Sequence, residues 1–413
     1  MLDFAFWEMN RSEYEMKKIG IGILFLTIFL MNVAFVSVAS AETLSEDAAD
    51  IAVAEPGLIT PEELNSIIKQ IPPTDPRILE KMNENESALR TYGKVPEITT
   101  GTEVYKWFNN LDCIRVNLNE NKEMKPYFYP AGPLVAYGTH TDGYFWVIVD
   151  ERYDDLKNED FDAIVDLIKK HATKLNITDV PIVFSTGTIT TDSASISQVS
   201  MSSVDPYLVY RRPITGGIAH CVLNETGYNV GTIGFAAKRN SDNANGYVFA
   251  GHTSWFRTGL QSYQPIYASG NLAGTVSKIG ANTDAAFVPY SNVAAQIHTG
   301  GGNFVNVDGY YSGGISGMVL KRSGRITGSV TGSYLGVLTG QLVDGHYMDR
   351  IELMTPVCSV GDSGGPVYAT YNNRNKIVGI TCAAALLTNG QQAAIYIPCG
   401  EVMPKLSITP LTV

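Results

Sequence analysis

The chain has 413 residues, 45% hydrophobic and 17% charged, a composition that excludes wholesale disorder and leaves room for two folded units and a leader. Its net charge of −11 is unevenly spread: residues 42–205 carry 28 acids and 14 bases, residues 206–413 only 9 acids and 13 bases. Two units of opposite sign attract each other, and neither holds the concentrated basic stripe of a nucleic-acid binder, so nucleic acid is not expected as a partner.

Lys17 and Lys18 precede an apolar run of about 20 residues from Ile19 to Val38, and Ala39-Ser40-Ala41 supplies the small residues of a signal-peptidase site. Residues 1–41 are therefore expected to be a secretory signal cut after Ala41, with Met16 as an alternative start. The run is also long enough to span a bilayer, so an uncleaved membrane anchor is the competing reading. Export suits the five cysteines, which need not be kept reduced outside the cell.

Residues 42–205 read as an acidic unit. Thr60-Pro61-Glu62-Glu63 has the pattern of an N-cap, a proline at the first helical position and acids in the first turn. Leu134–Tyr137 and Tyr144–Val149 read as strands around a turn at Asp142-Gly143, and Val180–Phe184 as another short strand. Phe161, Ile164, Val165, Ile168, Ala172 and Leu175 recur at helical spacing. This predicts a small α/β unit ending near Ser185, followed by a Ser/Thr-rich linker to Asp205.

After Pro206 the texture changes. Short β-branched and aromatic runs alternate with Gly, Asn and Ser turns, with no amphipathic helix, which predicts an all-β barrel pair over 206–413. Within it lies Gly361-Asp362-Ser363-Gly364-Gly365-Pro366. A nucleophilic serine needs an exposed Oγ and backbone N–H groups aimed at a developing oxyanion, and flanking glycines allow the tight turn that aims them. Of the histidines in this half, His252 ends the apolar run Val248-Phe249-Ala250-Gly251, where a general base is both rigid and open to a cleft. His220, His298 and His346 read as structural. Asp284 heads the apolar run Ala285–Val288 and is the carboxylate expected to orient the imidazole. Asp242 and Asp308 are loop-bound rivals, and a turn-capping role is the bland alternative for Asp284. No His-Glu-x-x-His or paired Cys/His spacing occurs, so neither a metal site nor a cofactor is expected.

The order His252, Asp284, Ser363 and these three contexts resemble the chymotrypsin family of serine endopeptidases, and more closely its α-lytic protease and streptogrisin branch. Ile214-Thr-Gly-Gly-Ile resembles the start of the mature enzyme, Gly317–Gly328 a strand and turn early in the second barrel, and Val378–Ala383 the edge strand that pairs with substrate backbone. The resemblance covers about 206–413. It implies a chymotrypsin-like double antiparallel β-barrel preceded by a removable acidic pro-region that acts as an intramolecular partner, and a secreted enzyme, monomeric when mature, acting on protein or peptide substrates.

The resemblance further implies an oxyanion hole from the amides of Gly361 and Ser363, substrate pairing along Thr381, Cys382 and Ala383, and a primary pocket based on Pro356, Val357 and Cys358. With no acid there, small or apolar residues are expected in the pocket, and the activation cut is expected between about Ser202 and Ile214, near Arg211-Arg212. Asp362 is expected to shape the oxyanion loop through an internal ion pair or hydrogen bond. Thr253 and Leu320 stand where cysteines are usual, leaving Cys221, Cys358, Cys382 and Cys399 to form two bridges in any of three connectivities, with Cys113 alone. A non-catalytic binding protein of the same fold is the alternative outside enzymology.

Overall fold

The computed structural model describes residues 59–153, 156–191, 194–196, 207–342, 344–387 and 390–413. The expected signal or anchor therefore lies outside the described residues. Among those described, no helix is long and apolar enough to cross a membrane.

The N-terminal part is an α/β layer. Thr60 caps the helix Pro61–Ile68: its Oγ1 accepts the Glu63 N–H at 3.2 Å while Glu63 Oε2 accepts the Thr60 N–H at 3.0 Å, a reciprocal capping box. A four-stranded sheet follows in the order Arg90–Tyr92, Ile182–Thr191, Phe145–Asp150, Leu134–His140. Phe145–Asp150 and Ile182–Thr191 run parallel, which requires a crossover, supplied by the helix Asn158–Lys174. Phe145, Val147 and Phe184 pack with Leu111, Ile114, Ile164 and Ile168 of the covering helices. Trp146, Ile148 and Val183 instead join a core with barrel residues Leu338, Ile351 and Ile380. With both faces buried the strands are apolar throughout, not alternating. The helix Gly101–Glu120 was not anticipated, although Thr100 caps it and Val104, Phe108, Leu111, Ile114 and Leu118 mark its buried stripe.

The segment read as a linker is in part a strand. Ser185–Thr191 continues Ile182–Thr191, because residues 187–191 find a partner far along the chain: they pair antiparallel with Ala383–Leu387.

Six antiparallel strands close a barrel in the second half: Gly328–Gln341, Val319–Gly324, Pro366–Tyr371, Arg374–Leu387, Gln392–Pro398 and Tyr347–Met354, the last returning to the first. Closure removes the edges that an open sheet would expose. The α/β sheet joins this barrel twice, through 187–191 and through Leu134–His140 pairing with residues 336–340.

Residues 214–306 form the other barrel layer from three smaller sheets around Ile214, Val222, Ile233, Tyr247, Phe249, Ala286 and Val288. The strand Ile408–Pro410 returns from the C-terminus to pair with Ala236–Arg239 of this layer. The helix before it, Cys399–Leu406, was missed in the sequence because Pro404 interrupts its pattern.

Candidate active site

Strand register explains how a histidine and an aspartate 32 residues apart meet. Asn245–Phe249 pairs antiparallel with Ala286–Pro289, Phe249 facing Ala286. Three residues past Phe249, a single 3-10 turn carries His252, and two residues before Ala286 lies Asp284, so the two emerge side by side. Asp284 grips the histidine with both oxygens: Oδ1 accepts the His252 backbone N–H at 2.7 Å, and Oδ2 lies 2.6 Å from Nδ1. Asp284 is fully buried and His252 only 5% exposed. Burial opposes ionisation of Asp284, but the imidazole charge and hydrogen bonds from the ring, the Cys382 thiol and the His252 N–H together hold the carboxyl below its usual range. An ionised carboxylate at Nδ1 fixes the tautomer, with the proton on Nδ1 and the lone pair on Nε2. Among the described residues Nε2 has no hydrogen-bond partner.

Ser363 comes from the other barrel, on the loop between Tyr347–Met354 and Pro366–Tyr371. Its Oγ donates to the Cys382 carbonyl at 3.5 Å, a long and weak bond. Cys382 lies between the halves, its carbonyl under Ser363 and its thiol among the groups that hold the Asp284 carboxyl low. The backbone packs the serine loop against the histidine turn. A Cβ on Gly364 would lie 2.9 Å from the Ala250 nitrogen, and one on Gly231 would lie 3.0 Å from both the Ser363 carbonyl and Thr253 Oγ1.

The loop around Ser363 is fixed from beneath by Asp362, which is fully buried with Arg322. Asp362 Oδ2 accepts from Arg322 Nη1 at 3.3 Å, Thr327 Oγ1 at 2.8 Å and the Ser359 N–H at 3.0 Å. Its Oδ1 accepts the N–H groups of Ile326 and Thr327 at 2.8 and 3.1 Å. The internal partner expected for Asp362 is therefore Arg322, within the Gly317–Gly328 segment, although nothing in the sequence singled out that arginine. Gly361 adopts φ +101° and Gly364 φ +90°, in the left-handed region that favours glycine.

The chain is similar to several solved structures. Over 48% of its length and 99% of theirs, it matches Protease A of Thermobifida fusca (22% identity, TM-score 0.40), the chymotrypsin of Cellulomonas bogoriensis (25%, 0.38) and the Nocardiopsis protease (21%, 0.39). The likeness is to chymotrypsin-like serine proteases. No family model matches the sequence, and no curated protein does.

Within residues 207–413, the remaining expected site residues fall as follows. Cys358 is buried and its thiol donates to the Ala383 carbonyl at 3.0 Å, while the Val357 carbonyl accepts from Arg322 Nη2 at 3.2 Å. The two stretches expected to wall a pocket, Val357–Cys358 and Thr381–Ala383, therefore touch. Thr381 is tied to the serine loop, accepting from the Gly364 N–H at 2.7 Å and donating its own N–H to the Gly365 carbonyl at 2.8 Å.

Two expectations need correction. Val378–Ala383 is not an edge strand: Arg374–Leu387 is flanked by Pro366–Tyr371 and Gln392–Pro398, and its end is covered by 187–191. The two disulfides are absent: no bridge joins any of the five cysteines. Cys221 packs with Val230 and Tyr263 in one barrel layer, whereas Cys358 engages a carbonyl and Cys382 lies against Met348 in the other. Near the expected activation cut, Arg212 is held by side-chain contacts. Arg212 Nε donates to Tyr290 Oη at 2.6 Å, its Nη1 donates to Gln264 Oε1 at 2.6 Å, and the next residue is Pro213.

The other candidates sit elsewhere. His220 is buried against Phe249, its Nδ1 3.3 Å from Ser262 Oγ, and burial pushes its pKa down to about 3. His298 is buried between Tyr207 and Phe304, and His346 stacks on Phe256. Asp242 pairs with Arg239 in a turn, and Asp308 accepts the Asn375 N–H.

Proposed function

We propose that this chain is the precursor of a secreted serine endopeptidase that hydrolyses peptide bonds through an acyl-enzyme, with Ser363 as nucleophile, His252 as general base and Asp284 as its orienting acid. The observation that carries this reading is the two-oxygen grip of Asp284 on His252 beside the Ser363 loop. It leaves Nε2 as the only basic site on an imidazole buried at the seam of two barrels. His252 takes the proton of Ser363 Oγ as the oxygen attacks the scissile carbonyl. The amides of Gly361 and Ser363 receive the oxyanion, and the protonated imidazole then gives its proton to the leaving amine. Asp284 stays ionised and offsets the imidazolium charge. Water, deprotonated by the same nitrogen, releases the acid product.

Residues 42–205 act as a removable pro-region. The pairing of 187–191 with 383–387 supports a zymogen: the strand that continues from the expected substrate-binding residues Thr381, Cys382 and Ala383 is already occupied by the chain's own backbone, the mode in which an extended peptide adds to a sheet. The fastening of Arg212 favours an activation cut on the N-terminal side of Tyr207. A signal cut after Ala41 releases the precursor, and the mature enzyme is a monomer preferring small or apolar residues in a pocket whose walls, Cys358 and Ala383, already meet.

The test is turnover of a peptide amide by the secreted, processed protein. Ser363→Ala is expected to cut kcat by roughly 10⁶-fold, as loss of a triad nucleophile does. Activity retained in that variant would refute the assignment, and preferential cleavage after Arg or Lys would overturn the pocket reading.

A further inference from the structure

Between the two barrels, one residue holds the carbonyls of both Gly361 and Ser363 in the nucleophile loop. Thr232 is the last residue of the strand Gly227–Thr232 and is fully buried. Its backbone N–H donates to the Ser363 carbonyl at 2.8 Å, and its hydroxyl donates to the Gly361 carbonyl at 2.8 Å. The direction of the hydroxyl bond is not free. The Arg325 N–H, from the second barrel, donates to Thr232 Oγ1 at 3.0 Å, occupying a lone pair and leaving the hydroxyl proton for Gly361. Arg325 also backs the same glycine from the outside, since a Cβ on Gly361 would lie 2.6 Å from Arg325 Nη2. The loop wraps the threonine so closely that a Cβ on Gly364 would lie 2.2 Å from the Thr232 carbonyl.

We infer that Thr232 is a positioning residue for the oxyanion loop, an inference that rests on the protease reading above. Carbonyls at 361 and 363 that are both drawn toward Thr232 cannot turn into the cleft. The peptide units 361–362 and 363–364 are thereby fixed; the Ser363 N–H belongs to the unit between them and the Gly361 N–H to the unit just before, so both amides expected to receive the oxyanion hinge on fixed planes. The lock spans the seam, with acceptors on the serine loop, the hydroxyl on the first barrel and the directing N–H of Arg325 on the second. Such a lock acts on the transition state. Substrate carbonyl and oxyanion differ in charge, so a loop that wanders between two orientations loses the oxyanion's hydrogen bonds while ground-state contacts survive.

The experiment compares Thr232→Val, nearly the same shape without the hydroxyl, with Thr232→Ser, which keeps it, in the full chain after secretion and processing. The inference expects Thr232→Val to lower kcat on a peptide amide by roughly 10- to 100-fold, less than the loss of an oxyanion donor itself. Affinity for a peptide aldehyde, which forms a tetrahedral adduct, should fall by the same factor, with KM within about twofold of wild type and Thr232→Ser restoring both. Unchanged kcat and aldehyde affinity in Thr232→Val would overturn it, as would equal impairment of the valine and serine variants. Should valine prevent folding, Thr232→Ala is read the same way. If neither hydroxyl-less variant folds, a serine variant with reduced kcat and aldehyde affinity at unchanged thermal stability overturns the inference, and a fully active one upholds it. Fluorophosphonate labelling of the wild type separates the two levels. No label at Ser363 removes the protease reading itself, whereas a labelled wild type with an indifferent valine variant removes only the role of Thr232.

Discussion

Replacing Asp284 by asparagine changes almost no volume, yet the structure assigns it a large and specific effect. Asp284 spends one oxygen on the buried His252 N–H and the other on Nδ1, at 2.7 and 2.6 Å. An asparagine there must orient its single carbonyl oxygen toward the backbone N–H, because a buried donor left unpaired costs about 1–3 kcal/mol. Its NH₂ then faces Nδ1, which becomes an acceptor, and the ring proton moves to Nε2. That nitrogen can no longer receive the proton of Ser363, and an imidazolium formed later has no anion beside it. The expected loss is about 10⁴-fold in kcat, equivalent to about 5.4 kcal/mol of transition-state stabilisation. Steady-state hydrolysis of a peptide amide at pH 7 to 8 measures it, with KM expected to be nearly unchanged. A loss smaller than tenfold would refute the argument, because it would mean that His252 keeps its working tautomer without the carboxylate.

Gly361→Ala is expected to lower kcat by about 10²-fold: the Arg325 guanidinium can swing away from the new Cβ, but φ +101° remains unfavourable for alanine, and the loop must shift its amides to relieve it. Asp362→Ala strands the fully buried Arg322 without its carboxylate and is expected to cost about 3–5 kcal/mol in urea denaturation; a cost under 1 kcal/mol would show that the pair does not matter to the fold. His220 is kept neutral by burial, with a pKa of about 3 against about 6.5 when unfolded, so the unfolded chain binds the extra proton between those values and stability falls as pH falls through that window. Unfolding at pH 6 and pH 4 should show the wild type losing about 1.4 kcal/mol per pH unit more than His220→Phe, and parallel slopes would contradict this.

How much of this was legible in the sequence depended on distance along the chain. The serine motif, the histidine after its strand and the aspartate before its own were each visible because the local pattern, an apolar run meeting a small-residue corner, is set by the residue's own neighbours. The helix start at Thr60-Pro61-Glu62-Glu63 was legible for the same reason, though the reciprocal bond from Glu63 was not. What escaped was decided by pairing across long separations. Ser185–Thr191 carries β-branched Thr and Ile, but in a Ser/Thr-rich stretch that signal reads as a linker until its distant partner Ala383–Leu387 is seen. Thr232 is an ordinary residue in Gly231-Thr232-Ile233, and its role exists only because Gly361, Ser363 and Arg325 converge on it. Arg322 is one of several basic residues in its segment until burial with Asp362 distinguishes it. The expected disulfides failed in a related way, since counting cysteines fixes the possible pairings but not whether two thiols ever face each other.

The central claim is that one serine in this chain is chemically activated, and the most direct measurement is the site of reaction with a fluorophosphonate, mapped by mass spectrometry on the processed protein. The account predicts a single stoichiometric adduct on Ser363, abolished in Ser363→Ala and slowed by orders of magnitude in His252→Ala. An unlabelled protein, or an adduct on any other residue, would contradict it.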